Sequence, residues 1–198
     1  MKKGFKHIIW GFVLVHVTIT LGGLTILPAF VGWLIVRQGF SEMDYTFPES
    51  SQTVIKKVLD VLIVLSLAES LWNLLASQPL DTYLPLMYYP VLYLILELVV
   101  FHKLLEAVAR LLAQRNRPEK YEVYRKKDKA YLILMGSATV FMTAALTVFS
   151  PAFVSVSLLI ALSGRIYLLF VLAALKNTDL EMDLNPVEPA KYQGSNQT

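Results

Sequence analysis

The segment KLLEAVARLLAQRNRPEKYEVYRKKDK, residues 103–129, decides how this chain is arranged. It holds nine lysine and arginine residues against four acidic residues, and long apolar stretches flank it on both sides. Short basic connections beside membrane spans stay on the cytoplasmic side of the membrane. We therefore predict that residues 103–129 form a basic cytoplasmic loop between spans, and that this loop sets the orientation of every other segment.

The composition of the chain is that of a membrane protein. Hydrophobic residues make up 56% of its 198 residues and charged residues 17%, whereas soluble domains carry about 25% charged residues. Several apolar runs approach the roughly 20 residues that cross a bilayer. The net charge of +3 does not indicate a nucleic-acid partner, because the basic residues stand beside apolar runs. The lack of cysteine excludes disulfides and thiolate sites.

The first apolar run is too long for one ordinary span and short for two. Gly22 and Gly23 interrupt it and Pro28 follows, a pattern that favours the end of one helix and the start of another. We predict two short helices, about 8–21 and 26–37, that form a membrane-thinning or re-entrant hairpin. The alternative is a single long, tilted and kinked span.

The distribution of positive charge favours the hairpin. A hairpin places both chain termini and the basic loop on one side of the membrane, whereas a single first span would place the basic loop outside. The predicted fold is thus an all-α, polytopic transmembrane bundle of four long spans plus the N-terminal hairpin. Its six helices are expected at about 8–21, 26–37, 54–77, 86–115, 130–149 and 152–175, and a polar, disordered cytoplasmic tail at 177–198.

The opening of the chain contains Ile8-Ile9-Trp10-Gly11 and, after the Gly pair, the segment LTILPAFVG at 24–32. It resembles a group of small uncharacterised multi-pass membrane proteins of Gram-positive bacteria, which begin with a short helix, a Gly turn and an L-P-x-F-x-G segment. The likeness covers about the first forty residues. It implies a bacterial plasma membrane and brings no established activity.

Four ionisable side chains lie within the predicted spans: His16, Glu69, Glu97 and Arg165. A charge near the bilayer centre costs about 2.5–3.5 kcal/mol on insertion scales, so such residues normally face the bundle interior and find partners. We predict that Arg165 bonds to Glu69 or to Glu97. His16 is interpreted as a hydrogen-bonded core histidine, with a proton relay as the alternative.

Polar side chains also repeat at helical spacing in two of the predicted spans. In the span at 54–77 they share one arc of the helix surface and are Ser66, Glu69, Ser70, Asn73 and Ser77; in the span at 130–149 they are Thr139, Thr143 and Thr147. We predict that both rows face inward. The resulting intramembrane polar cluster comprises Glu69, Glu97, Arg165, Ser66, Asn73 and Thr143. Trp33 and Tyr131 are interpreted as members of an inner aromatic belt.

Two functions are compatible with this cluster. Polar contacts between membrane helices hold a bundle together at about 1 kcal/mol each, and this structural interpretation is favoured. Alternatively, two glutamates and one arginine leave one carboxylate unpaired, as a proton-coupled carrier requires. The basic cytoplasmic face is expected to meet anionic lipid headgroups or a membrane or cytoplasmic protein partner. Its residues are Arg110, Arg115, Arg117, Lys126 and Lys127.

Signatures of known enzymes are missing from the sequence, which has no H-E-x-x-H, Walker A or G-x-S-x-G motif. Three scattered histidines without cysteine argue against a metal site. We therefore expect a non-catalytic structural, accessory or regulatory component of the plasma membrane, without cofactor or metal and with cytoplasmic termini. The alternative is a small proton- or ion-coupled transporter or channel that uses Glu69, Glu97 and Arg165. An enzyme acting on lipids is the remote third option.

Overall fold

A computed structural model describes residues 2–17, 20–21, 24–25, 28–43, 49–75, 86–114 and 117–177 of the chain. Within these ranges there are six helices and one pair of two-residue strands. The helices are α1 Lys2–His16, α2 Ala29–Ser41, α3 Glu49–Leu75, α4 Tyr89–Gln114, α5 Pro118–Val148 and α6 Pro151–Asn177. Apart from the strand pair, the predicted all-helical class is confirmed. The predicted tail beyond Asn177 lies outside the described residues.

Among the described residues, three helices are long and apolar enough to cross a membrane: Ser51–Leu75 within α3, and α5 and α6 in full. Much of their apolar surface points away from the bundle; Leu75 is 84% exposed and Phe170 is 72% exposed. Such outward-facing apolar surface is compatible with a lipid environment. Helix α4 is as long, but Glu97, Lys103 and Glu106 interrupt its apolar sequence.

The N-terminal segment forms two helices, α1 and α2, rather than one kinked span. They pack antiparallel through two pairs of glycines, Gly4 with Gly39 and Gly11 with Gly32. A methyl group added at Gly4 would lie 2.7 Å from the carbonyl oxygen of Gly39, and one at Gly11 would lie 2.6 Å from that of Gly32. A side chain larger than hydrogen would collide with backbone at these positions, so the two helices pack closely at both glycine pairs.

The end of α1 differs from the prediction. The helix stops at His16 instead of continuing to residue 21, and Thr20–Leu21 (β1) pairs antiparallel with Leu24–Thr25 (β2). The two residues between these strands in the sequence are Gly22 and Gly23, and Gly-Gly between two short extended segments is a strong hairpin signal. The glycine pair, which was interpreted as a helix terminus, lies outside the described residues.

Polar side chains hold the opposite, open end of the α1–α2 hairpin together. His7 Nδ1 lies 3.0 Å from Glu42 Oε2, and Lys3 Nζ lies 3.4 Å from Glu42 Oε1. Partial burial acts to raise the pKa of Glu42, but the hydrogen bond and charge of His7, together with Lys3, bring that pKa below its usual value. The N-terminal positive charges are thereby partly neutralised beside the end of α2.

Helix α4 runs through the centre of the molecule. It packs against α3 and α5, and its side chains also contact α1, α2 and α6 through Phe12, Trp33 and Arg165. Phe101 of α4 is fully buried in an aromatic cluster, with ring centroids 4.7 Å from Phe12, 6.4 Å from Trp33 and 6.5 Å from Tyr131. A helix enclosed on several sides is expected to be apolar around most of its circumference, as α4 is.

Most of the predicted basic loop is helical. Helix α4 ends at Gln114, close to the predicted end at 115, whereas α5 begins at Pro118 instead of near residue 130. The prediction of a non-helical connection up to residue 129 is therefore wrong. Proline is favoured at the first position of a helix, and Glu119 interacts favourably with the positive end of the helix dipole. These start signals precede the apolar run by about three turns, and hydropathy alone does not register them.

The connection between α5 and α6 is a tight turn. Phe149 adopts a left-handed conformation with φ of 53° and caps α5, and Ser150 donates its backbone N–H to the carbonyl oxygen of Ala145 at 3.1 Å. Pro151 then opens α6. The two helices are therefore adjacent and antiparallel, and Ser157 reinforces their contact by donating its hydroxyl to the carbonyl oxygen of Ala138 at 2.8 Å.

Candidate functional site

An ion pair between Glu97 and Arg165 lies inside the bundle. Glu97 on α4 is fully buried, and its two carboxylate oxygens accept separate hydrogen bonds from Arg165 on α6. Arg165 Nε donates to Oε1 at 3.0 Å and Nη2 donates to Oε2 at 2.8 Å. This parallel, bidentate geometry is the strongest arrangement available to a guanidinium and a carboxylate. The predicted bond from Arg165 to one of the two glutamates is confirmed, and the partner is Glu97.

Close helix packing next to the pair brings Arg165 into the bundle. Gly164 is buried, and a methyl group there would lie 2.9 Å from the sulfur of Met135 on α5. The small residue lets α6 approach α5, while the long Arg165 side chain reaches α4. About a fifth of the Arg165 side chain stays exposed, whereas Glu97 has no exposed surface. The carboxylate consequently depends on its protein partners more than the guanidinium does.

His16, at the last position of α1, is the third member of this cluster. Its Nδ1 lies 2.9 Å from the carbonyl oxygen of Phe12, and because a carbonyl oxygen only accepts, Nδ1 carries a hydrogen. This bond confirms that His16 is hydrogen-bonded, as predicted, while 23% of its side chain is exposed. Its Nε2 lies 3.7 Å from Glu97 Oε2 and is buried without a hydrogen-bond partner. Nothing in the sequence indicated that the end of α1 reaches Glu97.

Two aromatic side chains predicted to lie at the membrane interface belong to the interior instead. Trp33 and Tyr131 are both fully buried. Trp33 donates its indole N–H to the hydroxyl of Tyr93. The hydroxyl of Tyr131 is buried without a hydrogen-bond partner, and Tyr131 is within electrostatic range of Glu97, Arg165 and Asp128. The assignment to an aromatic belt is wrong, because a single sequence does not distinguish an interfacial aromatic residue from a buried one.

Glu69 forms a separate contact between α3 and α4. The Tyr89 hydroxyl donates to Glu69 Oε2 at 2.9 Å and lies 3.3 Å from the carbonyl oxygen of Leu65. Ser66 is fully buried on the same helix and donates its hydroxyl to the carbonyl oxygen of Leu62. Glu69 and Ser66 thus face α4 or the interior in part, as predicted, but Glu69 is not bonded to Arg165.

Two members of the predicted polar cluster point outward. Asn73 and Thr143 are exposed, so their predicted inward orientation is wrong. Thr143 donates its hydroxyl to the carbonyl oxygen of Thr139 at 2.8 Å, and Thr147 donates to that of Thr143 at 2.8 Å. A threonine can satisfy its hydroxyl on the carbonyl four residues earlier, so a threonine row needs no partner helix. Ser77 of the other row lies outside the described residues.

The cytoplasmic basic face predicted from the sequence combines two helix ends. His102 Nδ1 on α4 lies 2.9 Å from Asp128 Oδ1 on α5, which joins the two helices at this level. Glu106 accepts from Lys103 at 2.8 Å and from Arg110 at 2.5 Å. The hydrogen bond from Lys103 lowers the pKa of Glu106 more than partial burial raises it. Arg110 therefore belongs to a local ion-pair network.

The remaining residues of this face differ in exposure. Arg117 and Lys126 are exposed, and the Lys127 ammonium lies 4.5 Å from the centroid of the Tyr124 ring in a cation–π contact. Arg115 lies outside the described residues. The start of α5 thus presents cations to the surroundings along a helix instead of along a loop.

Within the ranges that the structure describes, no three histidine or acidic side chains are grouped so that they could hold a metal ion. Comparison of the chain with known protein families, with curated proteins and with solved structures finds no match. The functional argument therefore depends on the geometry of the polar contacts and on the distribution of charge.

Proposed function

We propose that this chain is a multi-pass protein of a bacterial plasma membrane in which α3, α4, α5 and α6 are four full spans and α1–α2 is a half-depth hairpin. The length of α4 supports its inclusion, since its 26 residues cover about 39 Å at 1.5 Å per residue. Its most buried charge, on Glu97, is neutralised by Arg165. Helices α1 and α2, with 15 and 13 residues, cover only about 22 and 20 Å of a hydrocarbon core of roughly 30 Å.

The positive charges support an orientation with both termini in the cytoplasm. The lysines that begin α1, the basic end of α4, the basic start of α5 and Lys176 at the end of α6 all fall on one side of a bundle with this topology. Basic residues near the ends of spans are retained on the cytoplasmic side. The basic face then lies at the level of the anionic lipid headgroups of the inner leaflet.

Within that membrane, we propose a non-catalytic structural, accessory or regulatory role. The observation that supports it most is the complete bidentate neutralisation of the fully buried Glu97 by Arg165. The pair joins α4 to α6, and each carboxylate oxygen of Glu97 accepts a hydrogen bond. An ion pair of this kind fixes which helices meet in a bundle.

The basic face supplies the test of this role. The native protein is purified in mild detergent, and co-purified lipids are counted by native mass spectrometry for the wild type and for a charge-reversed triple variant, Arg117→Glu, Lys126→Glu and Lys127→Glu. We expect the wild type to retain anionic phospholipids and the variant to lose most of them. The matched control reverses no charge: Lys126→Arg should retain them. Equal retention by all three proteins would refute the proposed contact with headgroups.

A second candidate function, a proton-coupled carrier or channel, is favoured by a different observation. Ionisable side chains follow one another along α4 in the order Tyr89, Tyr93, Glu97 and His102, and each has a polar partner on another helix. In proteoliposomes with an imposed pH gradient, a carrier would give proton flux above that of empty vesicles, and Glu97→Gln would abolish it. Flux equal to that of empty vesicles, or unchanged in Glu97→Gln, eliminates this candidate.

A further inference from the structure

All three histidines of the chain face a carboxylate on another element. His7 of α1 contacts Glu42 beyond α2, and His102 of α4 contacts Asp128 of α5. The third, His16, faces Glu97, which has no exposed surface. The side chains of Glu42 and Asp128 are 23% and 12% exposed, so water can replace a lost partner there. Water does not reach the Glu97 carboxylate, so the protonation of His16 has the larger structural consequence.

The hydrogen-bond geometry restricts the forms that the His16 imidazole can take. Nδ1 donates its hydrogen to the carbonyl oxygen of Phe12. In the neutral form, Nε2 would then direct a lone pair toward Glu97 Oε2 at 3.7 Å, which is repulsive. In the imidazolium form, both ring nitrogens carry hydrogens and Nε2 is attracted to the carboxylate. The contact between Nε2 and Glu97 Oε2 is therefore attractive only when Nε2 carries a hydrogen.

The net charge of the cluster depends on the protonation state of His16. Glu97 and Arg165 cancel each other, so a proton on His16 adds one positive charge to a neutral pair and a neutral His16 adds none. The charged and titratable groups in electrostatic contact with this cluster are Glu69 of α3, Tyr93 and Glu97 of α4, Tyr131 of α5 and Arg165 of α6. The hydroxyl of Tyr131 is buried without a hydrogen-bond partner.

We propose that His16 is a proton-binding site that couples protonation to the docking of the α1–α2 hairpin on α4 and α6. With the proton bound, Nε2 is held by Glu97 and the end of α1 stays against the bundle. When the proton leaves, the facing lone pair repels the carboxylate and the end of α1 separates from it. The glycine contacts at Gly4 and Gly11 hold α1 to α2, so α1 and α2 stay together and the change is confined to the tip.

The first test measures the protonation of each histidine by ¹⁵N NMR of the full chain in lipid nanodiscs, with assignments from His7→Gln and His102→Gln. At pH 6.5 we expect the ratio of protonated to neutral His16 to fall about tenfold in Glu97→Gln, because a carboxylate within about 4–6 Å favours the charged form. Asp128→Asn is the matched control and should change His102 without changing His16. If Glu97→Gln does not fold, the charge-neutral double variant Glu97→Gln/Arg165→Gln gives the same expectation. A His16 ratio unaffected by either variant would overturn the proposal.

The second test measures docking directly. The chain has no cysteine, so spin labels at Val17→Cys and Ile166→Cys, both at exposed positions, report one distance between the end of α1 and α6. We expect a narrow distance distribution at pH 5.5 and a longer or broader one at pH 8.5, with no pH dependence in His16→Gln. Identical distributions at both pH values in the wild type would show that protonation and docking are not coupled. This inference does not require either proposed function.

Discussion

Neutralising one member of the buried ion pair should affect stability differently depending on which member is changed. In Arg165→Gln the charge of Glu97 stays behind on a side chain with no exposed surface, and breaking a buried pair in this way costs about 3–5 kcal/mol. In Glu97→Gln the remaining guanidinium is about one-fifth exposed and can turn toward water or headgroups. Its cost should be closer to the about 1.5–3 kcal/mol of lost hydrogen bonds to a charged group. Arg165→Gln is therefore the more destabilising of the two single variants.

The double variant Glu97→Gln/Arg165→Gln distinguishes two contributions to the free energy of unfolding: the cost of leaving one buried charge unpaired and the net stabilisation by the ion pair. Two amides can still hydrogen-bond, and neither leaves a charge in the interior, so the double variant should be more stable than Arg165→Gln by about 2 kcal/mol or more. The assay is the free energy of unfolding in mixed micelles, followed by circular dichroism as the fraction of denaturing detergent rises. Arg110→Gln is the control: its partner Glu106 is a partly exposed ion-pair partner, and the loss should stay under about 1 kcal/mol.

Two outcomes would refute this reasoning. If the double variant loses as much stability as the two single variants together, Glu97 and Arg165 are not energetically coupled. If Glu97→Gln is more destabilising than Arg165→Gln, the exposure of the remaining charged side chain does not determine how much stability is lost.

Three further predictions concern the helix contacts. Gly11→Ala places a methyl group 2.6 Å from a backbone carbonyl oxygen of α2 and should force α1 and α2 apart, seen as a loss of thermal stability, whereas Gly136→Ala, which meets nothing within 4 Å, should be neutral or stabilising. Ser157→Ala removes the hydroxyl bond from α6 to α5 and should cost about 1 kcal/mol in the same unfolding assay, while Thr143→Ala, whose hydroxyl bonds within its own helix, should cost less. Glu42→Gln should lower thermal stability at neutral pH; because the folded pKa of Glu42 is below its unfolded value, this difference should vanish as the pH falls through that lowered pKa.

Much of the helical architecture was readable from the sequence because long apolar runs, and the few charges within them, restrict how the chain can fold. Apolar runs of span length predict helices, and the cost of an isolated charge predicts that a deep arginine finds a carboxylate, as Arg165 finds Glu97. Hydropathy, however, marks the apolar part of a helix and not the whole helix. For this reason the sequence predicted the apolar part of α5 and missed its basic first turns from Pro118 onward.

Other features were missed for reasons specific to the side chains. Glycines recur seven residues apart at Gly4 and Gly11 and again at Gly32 and Gly39, and this spacing places each pair on one helix face. That signal was present in the sequence and indicates close antiparallel packing. By contrast, nothing local indicates that His16 meets Glu97, since 81 positions separate them and only the tertiary packing of the hairpin brings them together.

The short length of the α1–α2 hairpin explains why His16 lies beside Glu97. Helix α1 has 15 residues and rises about 22 Å from its lysine-rich start. Arg165 lies twelve residues before the end of α6 at Asn177, about 18 Å from that end. If both ends stand at the cytoplasmic surface, the last residue of α1 and the guanidinium reach nearly the same depth. A hairpin that crossed the whole membrane would carry its terminal histidine past the buried pair. The short hairpin instead ends beside it, and its length is what makes His16 a neighbour of Glu97.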